Sequence, residues 1–186
     1  MLQPNRSIFE LCHVVDDLDV AIDHWTRTFG AGPFFVASMR LPEGHRNRGV
    51  PAPMAIKVAF GFSGGLLIEL IEPLAGDGSI FTEALNEKGP GFHHVLLRID
   101  YDEGFARLIG QGFPLVTESL TPLGERCALF DTHAVNGGYV EIMDMNIAFA
   151  SLTRLMADAH SGWDGGDPVR PLEPLFSQLG DLTTRR

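Results

Sequence analysis

Four side chains stand out because the chain repeats itself around them. Glu69, in the run IELIEP, and Glu141, in the run YVEIMD, each lie in an apolar segment that follows a Gly-Gly pair, Gly64-Gly65 in one case and Gly137-Gly138 in the other. A second pair emerges by counting back from the points where two helices are expected to open. Glu10 lies five residues before Val15, and His94 lies five before Ile99. Three carboxylates and one imidazole, gathered in one buried place, cannot remain as they are: like charges out of water must protonate or be neutralised. A divalent cation neutralises them directly. Oxygen ligands with one nitrogen suit Mn, Co, Ni, Fe or Zn, and the residues do not choose among these metals. Open coordination positions would hold water or substrate oxygens. The expected ligand set is Glu10, Glu69, His94 and Glu141.

Blander readings stand beside this one. Glu69 lies between Ile68 and Leu70, and Glu141 between Val140 and Ile142, so alternation also suits the wet face of a half-buried sheet. His94 could equally be a satisfied core histidine. His13 competes with Glu10: alternation sends it to the opposite face, towards the helix, and a bulge would reverse that. His93 should point away from the pocket by the same alternation. His24 and His160 fall on helical stretches without metal-like partners, and His133 reads as a surface-loop residue.

The elements that would position these groups form a repeat. Residues 8–15 read as a strand, and Asp16, Asp17 or Asp19 can cap a following helix. On that helix Leu18, Ile22, Trp25 and Phe29 share one face, and Gly30 stops it. Residues 34–40 form a second strand, and residues 41–53, rich in Pro, Gly and charge, a loop. Residues 55–60 and 66–71 form two more strands around the Gly64-Gly65 turn. The order is β, α, β, β, β. The second half repeats it: strand 92–99, a helix with Phe105, Leu108 and Ile109 capped by Asp100 or Asp102, then strands 115–120, 126–130 and 139–143. GPFFV after the first helix is echoed by GFPLV after the second. Neither half readily buries its own sheet face, so the two should pair. A linker, 74–91, carries a short helix over 80–86. A helix runs from residue 147 to about 160, and residues 162–174 read as an extended arm.

Composition narrows the function classes. Hydrophobic residues make up 45% and charged residues 20%, which is enough apolar material for a buried core. A net charge of −10 with no basic run argues against nucleic acid as a partner. No apolar run reaches the roughly 18 residues of a membrane span. The opening residues 1–7 are polar, so no secretory leader is expected. Cys12 and Cys127, the only cysteines, lie in apolar stretches and read as reduced thiols of a cytoplasmic protein.

Taken together and in order, HVVDDLDVAIDHW, IELIEP, GPGFHHVLLRID and GGYVEIMD resemble the vicinal oxygen chelate superfamily, which spans glyoxalases, bleomycin-resistance proteins, ring-cleaving dioxygenases and methylmalonyl-CoA epimerases. IELIEP followed by GPGFHHV resembles the epimerases most. The resemblance covers residues 9–144. It implies an α+β fold in which two βαβββ modules form a curled mixed sheet around a central pocket, with helices outside and an extra C-terminal helix and arm. On that reading residues 1–146 are one domain, with modules at about 7–73 and 92–145, and residues 147–186 are an extension.

It also implies metal ligands at Glu10, Glu69, His94 and Glu141. The chain departs from the pattern at Glu10, where histidine is usual, and at Glu69, often glutamine in the epimerases. LPEG at residues 41–44 resembles a segment that supplies a catalytic glutamate there, so Glu43 joins Glu141 as a candidate base, although HRNRG follows as an insertion. The implied reaction is epimerisation or isomerisation by proton transfer beside a carbonyl of a small, apolar or aromatic substrate. The same fold also hosts ring-cleaving dioxygenases, glyoxalase-type lyases and drug-sequestering proteins that do no chemistry. A homodimer is common among such proteins.

Overall fold

A computed structural model describes residues 5–41, 45–74, 78–121 and 123–184, with side chains as far as Leu179. Strand β1 (Ile8–Val14) leads into helix α1 (Leu18–Phe29). Asp17 caps that helix by accepting from the Val20 N–H, and Gly30 ends it with a left-handed φ of 62°. Strands β2 (Phe34–Leu41), β5 (Met54–Ser63) and β6 (Leu66–Pro73) complete the first half. Helix α2 (Ile80–Lys88) links the halves. The second half runs β7 (Gly91–Leu97), α3 (Tyr101–Gly110), β8 (Leu115–Leu120), β9 (Arg126–Asp131), a short α4 (His133–Asn136) and β10 (Tyr139–Met143). Asp100 caps α3 through the Glu103 N–H.

The described strands join one curled mixed sheet in the order β11-β2-β5-β6-β1-β7-β10-β9-β8-β3-β4, where β3 (Arg46–Asn47), β4 (Val50–Pro51) and β11 (Val169–Pro171) are short additions. The two halves meet at β1 and β7, which pair antiparallel. Within each half the first strand also pairs parallel with the last, β1 with β6 and β7 with β10. Helix α1 covers one half of the outer face through Leu18 and Ile22, which pack with Phe34, Ile68 and Leu70. Helix α3 covers the other half, where Tyr101 and Leu108 pack with Phe130, Val140 and Ile142. Phe29 and Ile109, expected on the inner faces of these helices, are half exposed.

Two stretches differ from expectation. The loop expected over 41–53 holds a hairpin, β3 (Arg46–Asn47) and β4 (Val50–Pro51). Its central residues Arg48 and Gly49 both have positive φ, 49° and 79°, as the tight turn of a two-residue hairpin requires. The hairpin crosses to the second half and pairs with β8, and Arg48 is tied to Glu83 of α2 at 2.7 Å. The C-terminal part is also more structured than a helix and an arm. After α5 (Ile147–Ser161), β11 (Val169–Pro171) pairs parallel with β2, and α6 (Glu173–Thr184) follows. Leu172, Leu175 and Leu179 are buried in the inner core with Leu152 and Met156 of α5. No helix among the described residues is long and apolar enough to cross a membrane.

Candidate metal centre in an apolar cavity

The four central strands of the sheet, β6-β1-β7-β10, carry Glu69, Glu10, His94 and Glu141 in that order. Register explains how they meet. Glu69, Cys12 and His94 stand level across three strands. One step along the same face, Glu10, Leu96 and Glu141 stand level in turn. The four groups therefore occupy two adjacent rows on the concave side, because side chains two residues apart share a face.

His94 is the hub. Its Nε2 lies 2.8 Å from Glu141 Oε2, 3.4 Å from Glu69 Oε2 and 3.7 Å from Glu10 Oε1. His94 and Glu10 are almost fully buried. None of these oxygens is aligned for a hydrogen bond, so the buried Nε2 has no hydrogen-bond partner among the described residues. Metal–ligand lengths of about 2.1 Å put neighbouring ligand atoms roughly 3.0 Å apart in an octahedron and roughly 3.4 Å apart in a tetrahedron. Ligand atoms of Glu10, Glu69 and His94 lie within 4.8 Å of one another, close enough to share one divalent cation, and Glu141 joins this group through its 2.8 Å approach to His94 Nε2.

Charge in this place is strongly perturbed. Burial pushes the Glu10 carboxyl up, against the pull of His94, and burial together with the Glu10 charge pushes Glu69 well above the ordinary carboxylate range. Burial opposes a charge on His94, but Cys12, Glu141 and Glu10 outweigh it and hold its pKa well above the usual imidazole value. Two further residues support the centre. Cys127 Sγ donates to Glu141 Oε1 at 2.7 Å. His93 Nδ1 lies 2.8 Å from His94 Nδ1, which leaves Nε2 as the nitrogen facing the carboxylates. His93 is kept neutral, its pKa lowered by burial and by His94, and its ring packs on Phe81 and Tyr139. His13 turns the other way, against Trp25 and Phe92. Glu43 lies outside the described residues.

The centre opens into a cavity of about 160 Å³, comparable to an engineered cavity of about 150 Å³ that houses one benzene ring. Ile56, Phe60, Phe81 and Leu96 line it from the sheet and α2, and Phe149, Leu152, Leu172 and Phe176 close it from the C-terminal segment. Thr117, Ser119, Thr121, Glu125 and His45 line it as well. Sequence reasoning missed this polar group, although alternation puts Thr117 and Ser119 on one face of the expected strand 115–120.

A family model described as the Glyoxalase/Bleomycin resistance protein/Dioxygenase superfamily matches residues 10–128. Among solved structures, methylmalonyl-CoA epimerase from Mycobacterium tuberculosis superposes with a TM-score of 0.56 at 24% identity, covering 81% of this chain and 96% of that one. A hypothetical protein from Bacillus halodurans superposes with a TM-score of 0.57 at 16% identity, covering 77% of this chain and 96% of its own. At these identities both likenesses concern the fold. No curated protein matches the chain.

Proposed function

From the premise that the chain belongs to the glyoxalase/bleomycin resistance/dioxygenase superfamily, we propose that it is a metal-dependent enzyme that moves a proton beside a carbonyl of a small apolar or aromatic substrate. The observation that carries this reading is the unbonded, buried Nε2 of His94 with three carboxylates around it at the end of an apolar cavity. Glu10, Glu69, His94 and Glu141 would hold the cation. When bound, a divalent cation supplies Lewis-acid polarisation of a substrate oxygen.

The chain's own residues do the rest. Glu141 takes the proton: the C–H bond next to the carbonyl breaks, and its electron pair is delocalised into the carbonyl group. Return of the proton to the other face completes an epimerisation, and its return to another atom an isomerisation. Cys127 holds Glu141 in place through one carboxylate oxygen, and the apolar walls exclude water from the reacting carbon. Glu43 is a candidate second base.

The ring-cleaving dioxygenase reading is less well supported. It needs two histidines and one carboxylate, whereas Glu10 takes the inward position and His13 packs on the helix side. A non-catalytic, ligand-sequestering protein is the second reading, favoured by the apolar cavity itself.

Elemental analysis of purified protein, beside a His94→Ala, Glu141→Ala double variant, tests the proposal. Near-stoichiometric metal that disappears in the variant is expected, followed by solvent deuterium exchange into carbonyl compounds that Glu141→Gln abolishes. No metal after reconstitution with Mn, Co, Ni, Zn or Fe would overturn it and leave ligand binding as the function.

A further inference from the structure

The cavity has a second polar end that the proton-transfer reading does not use. Glu125 lies two residues before Cys127 on the run into β9, and Glu125, Cys127 and Leu129 all line the cavity. Cys127 touches Glu141, so Glu125 stands roughly 7 Å further along the wall. Glu125 is 2% exposed. Oε2 accepts from the Thr121 hydroxyl, and Oε1 has no hydrogen-bond partner among the described residues. Glu125 also borders a surface groove that contains Arg98, yet no group of that groove bonds Oε1.

A buried carboxylate oxygen without a donor is costly, so a wall that keeps one is suited to a ligand that brings the donor. The charge of the cavity says which kind. Among the described residues its lining includes four carboxylates, Glu10, Glu69, Glu125 and Glu141, and no Lys or Arg. Away from the His94 centre an anionic tail meets no Lys or Arg among the described lining residues, while an ammonium group meets an orphaned acceptor oxygen in an apolar surround.

We infer that Glu125, backed by Thr121, is a specificity site for an ammonium group, so that the substrate is a small apolar or aromatic molecule with an oxygen function at one end and an amine roughly one ring's length away. This rests on the cavity being the substrate site, and it names the substrate class. It sets this chain apart from superfamily members that act on acyl thioesters of polyphosphate nucleotides, whose anionic tail this cavity wall does not accommodate.

The test is calorimetric binding of three probes of one size, 2-phenylethylamine, 2-phenylethanol and phenylacetate, to the whole chain. Wild type should bind the amine at least tenfold more tightly than the alcohol and the acid least of all, and Glu125→Gln should remove the amine's advantage. Should Glu125→Gln not fold, the probe series on wild type and Glu141→Gln decides: an amine preference that survives in Glu141→Gln upholds the Glu125 site, and its loss there overturns it. Equal affinities, preference for the acid, or no amine binding at millimolar concentration would each overturn the inference. Glu141→Gln separates the two poles. An amine preference that survives in Glu125→Gln and vanishes in Glu141→Gln places the cation at the His94 centre; it would overturn the Glu125 site and count against the metal reading as well. Loss in Glu125→Gln alone upholds the Glu125 site whether or not metal is found.

Discussion

Gly138→Ala should damage the His94 centre from a distance, by steric force alone. A Cβ built at Gly138 meets the backbone oxygen of His93 at 2.4 Å and the Phe92 ring at 2.5 Å. An ordinary C···O contact is about 3.3 Å, so β10 and β7 must part by about 1 Å at the end where Tyr139 pairs with His94. The backbone oxygen cannot swing aside as a side-chain tip would, and overpacking of this kind costs about 1–3 kcal/mol. For a chain of this length that lowers Tm by roughly 2–12 °C. Glu141 rides on β10, 2.8 Å from His94 Nε2, and a displacement near 1 Å should weaken metal binding by about 10–100-fold, as loss of a supporting contact does. Gly137→Ala is the control. Gly137 has a left-handed φ of 78° and open space around its missing Cβ, so alanine there costs about 1–2 kcal/mol of backbone strain and leaves the strand spacing alone. Thermal melts and competition with a chromogenic chelator read both variants. If the two bind metal alike, the argument that Gly138 sets the approach of β10 to His94 is wrong.

Other expectations follow from the same geometry. Without bound cation, Tm should fall as pH rises above about 6.5. The folded-state pKa of His94 is raised, so its contribution is full below its unfolded value and is lost as pH rises through the folded one; Glu69 also keeps a proton that the unfolded chain releases above about 4.5. Bound metal replaces those protons and should abolish the trend, so a metal-free Tm that rises between pH 6.5 and 9 would contradict these shifts. Cys127→Ala removes the donor to Glu141 and should reduce metal affinity about tenfold, with Cys127→Ser recovering part of it; unchanged affinity would deny Cys127 a positioning role. Leu172→Ala empties a side chain that is 1% exposed and should cost about 2–5 kcal/mol in urea unfolding. A loss below about 1 kcal/mol would show that the C-terminal segment is not firmly seated over the cavity.

The repeat was legible in the sequence because it is written in periodicity. The helical spacing of Leu18 and Ile22, the caps Asp17 and Asp100, and the alternation around Glu69 and Glu141 are local signals, and counting along the first strands placed Glu10 and His94 together. What stayed hidden depends on contacts between distant segments. Arg48-Gly49 carries a weak hairpin signal, but only its docking on β8 and Glu83 makes a strand pair of it. Pro171 and Pro174 suggested an arm, while Leu172, Leu175, Phe176 and Leu179 have the spacing of one helical face and gain their meaning from the cavity they close. The two Gly-Gly pairs look alike in sequence and differ in cause. Gly64 and Gly137 turn the chain, but Gly65 has room for a side chain and Gly138 does not.

The seam between β1 and β7 makes the His94 centre a bond between two half-molecules. Glu10 and Glu69 come from one half, His94 and Glu141 from the other, and neither half alone offers more than two of the four groups. An ion held there would clasp segments far apart in the chain, so its free energy would be added to global rather than local stability. Metal uptake would then mark the last act of folding, when the halves have docked, and metal loss through unfolding would be as slow as their separation.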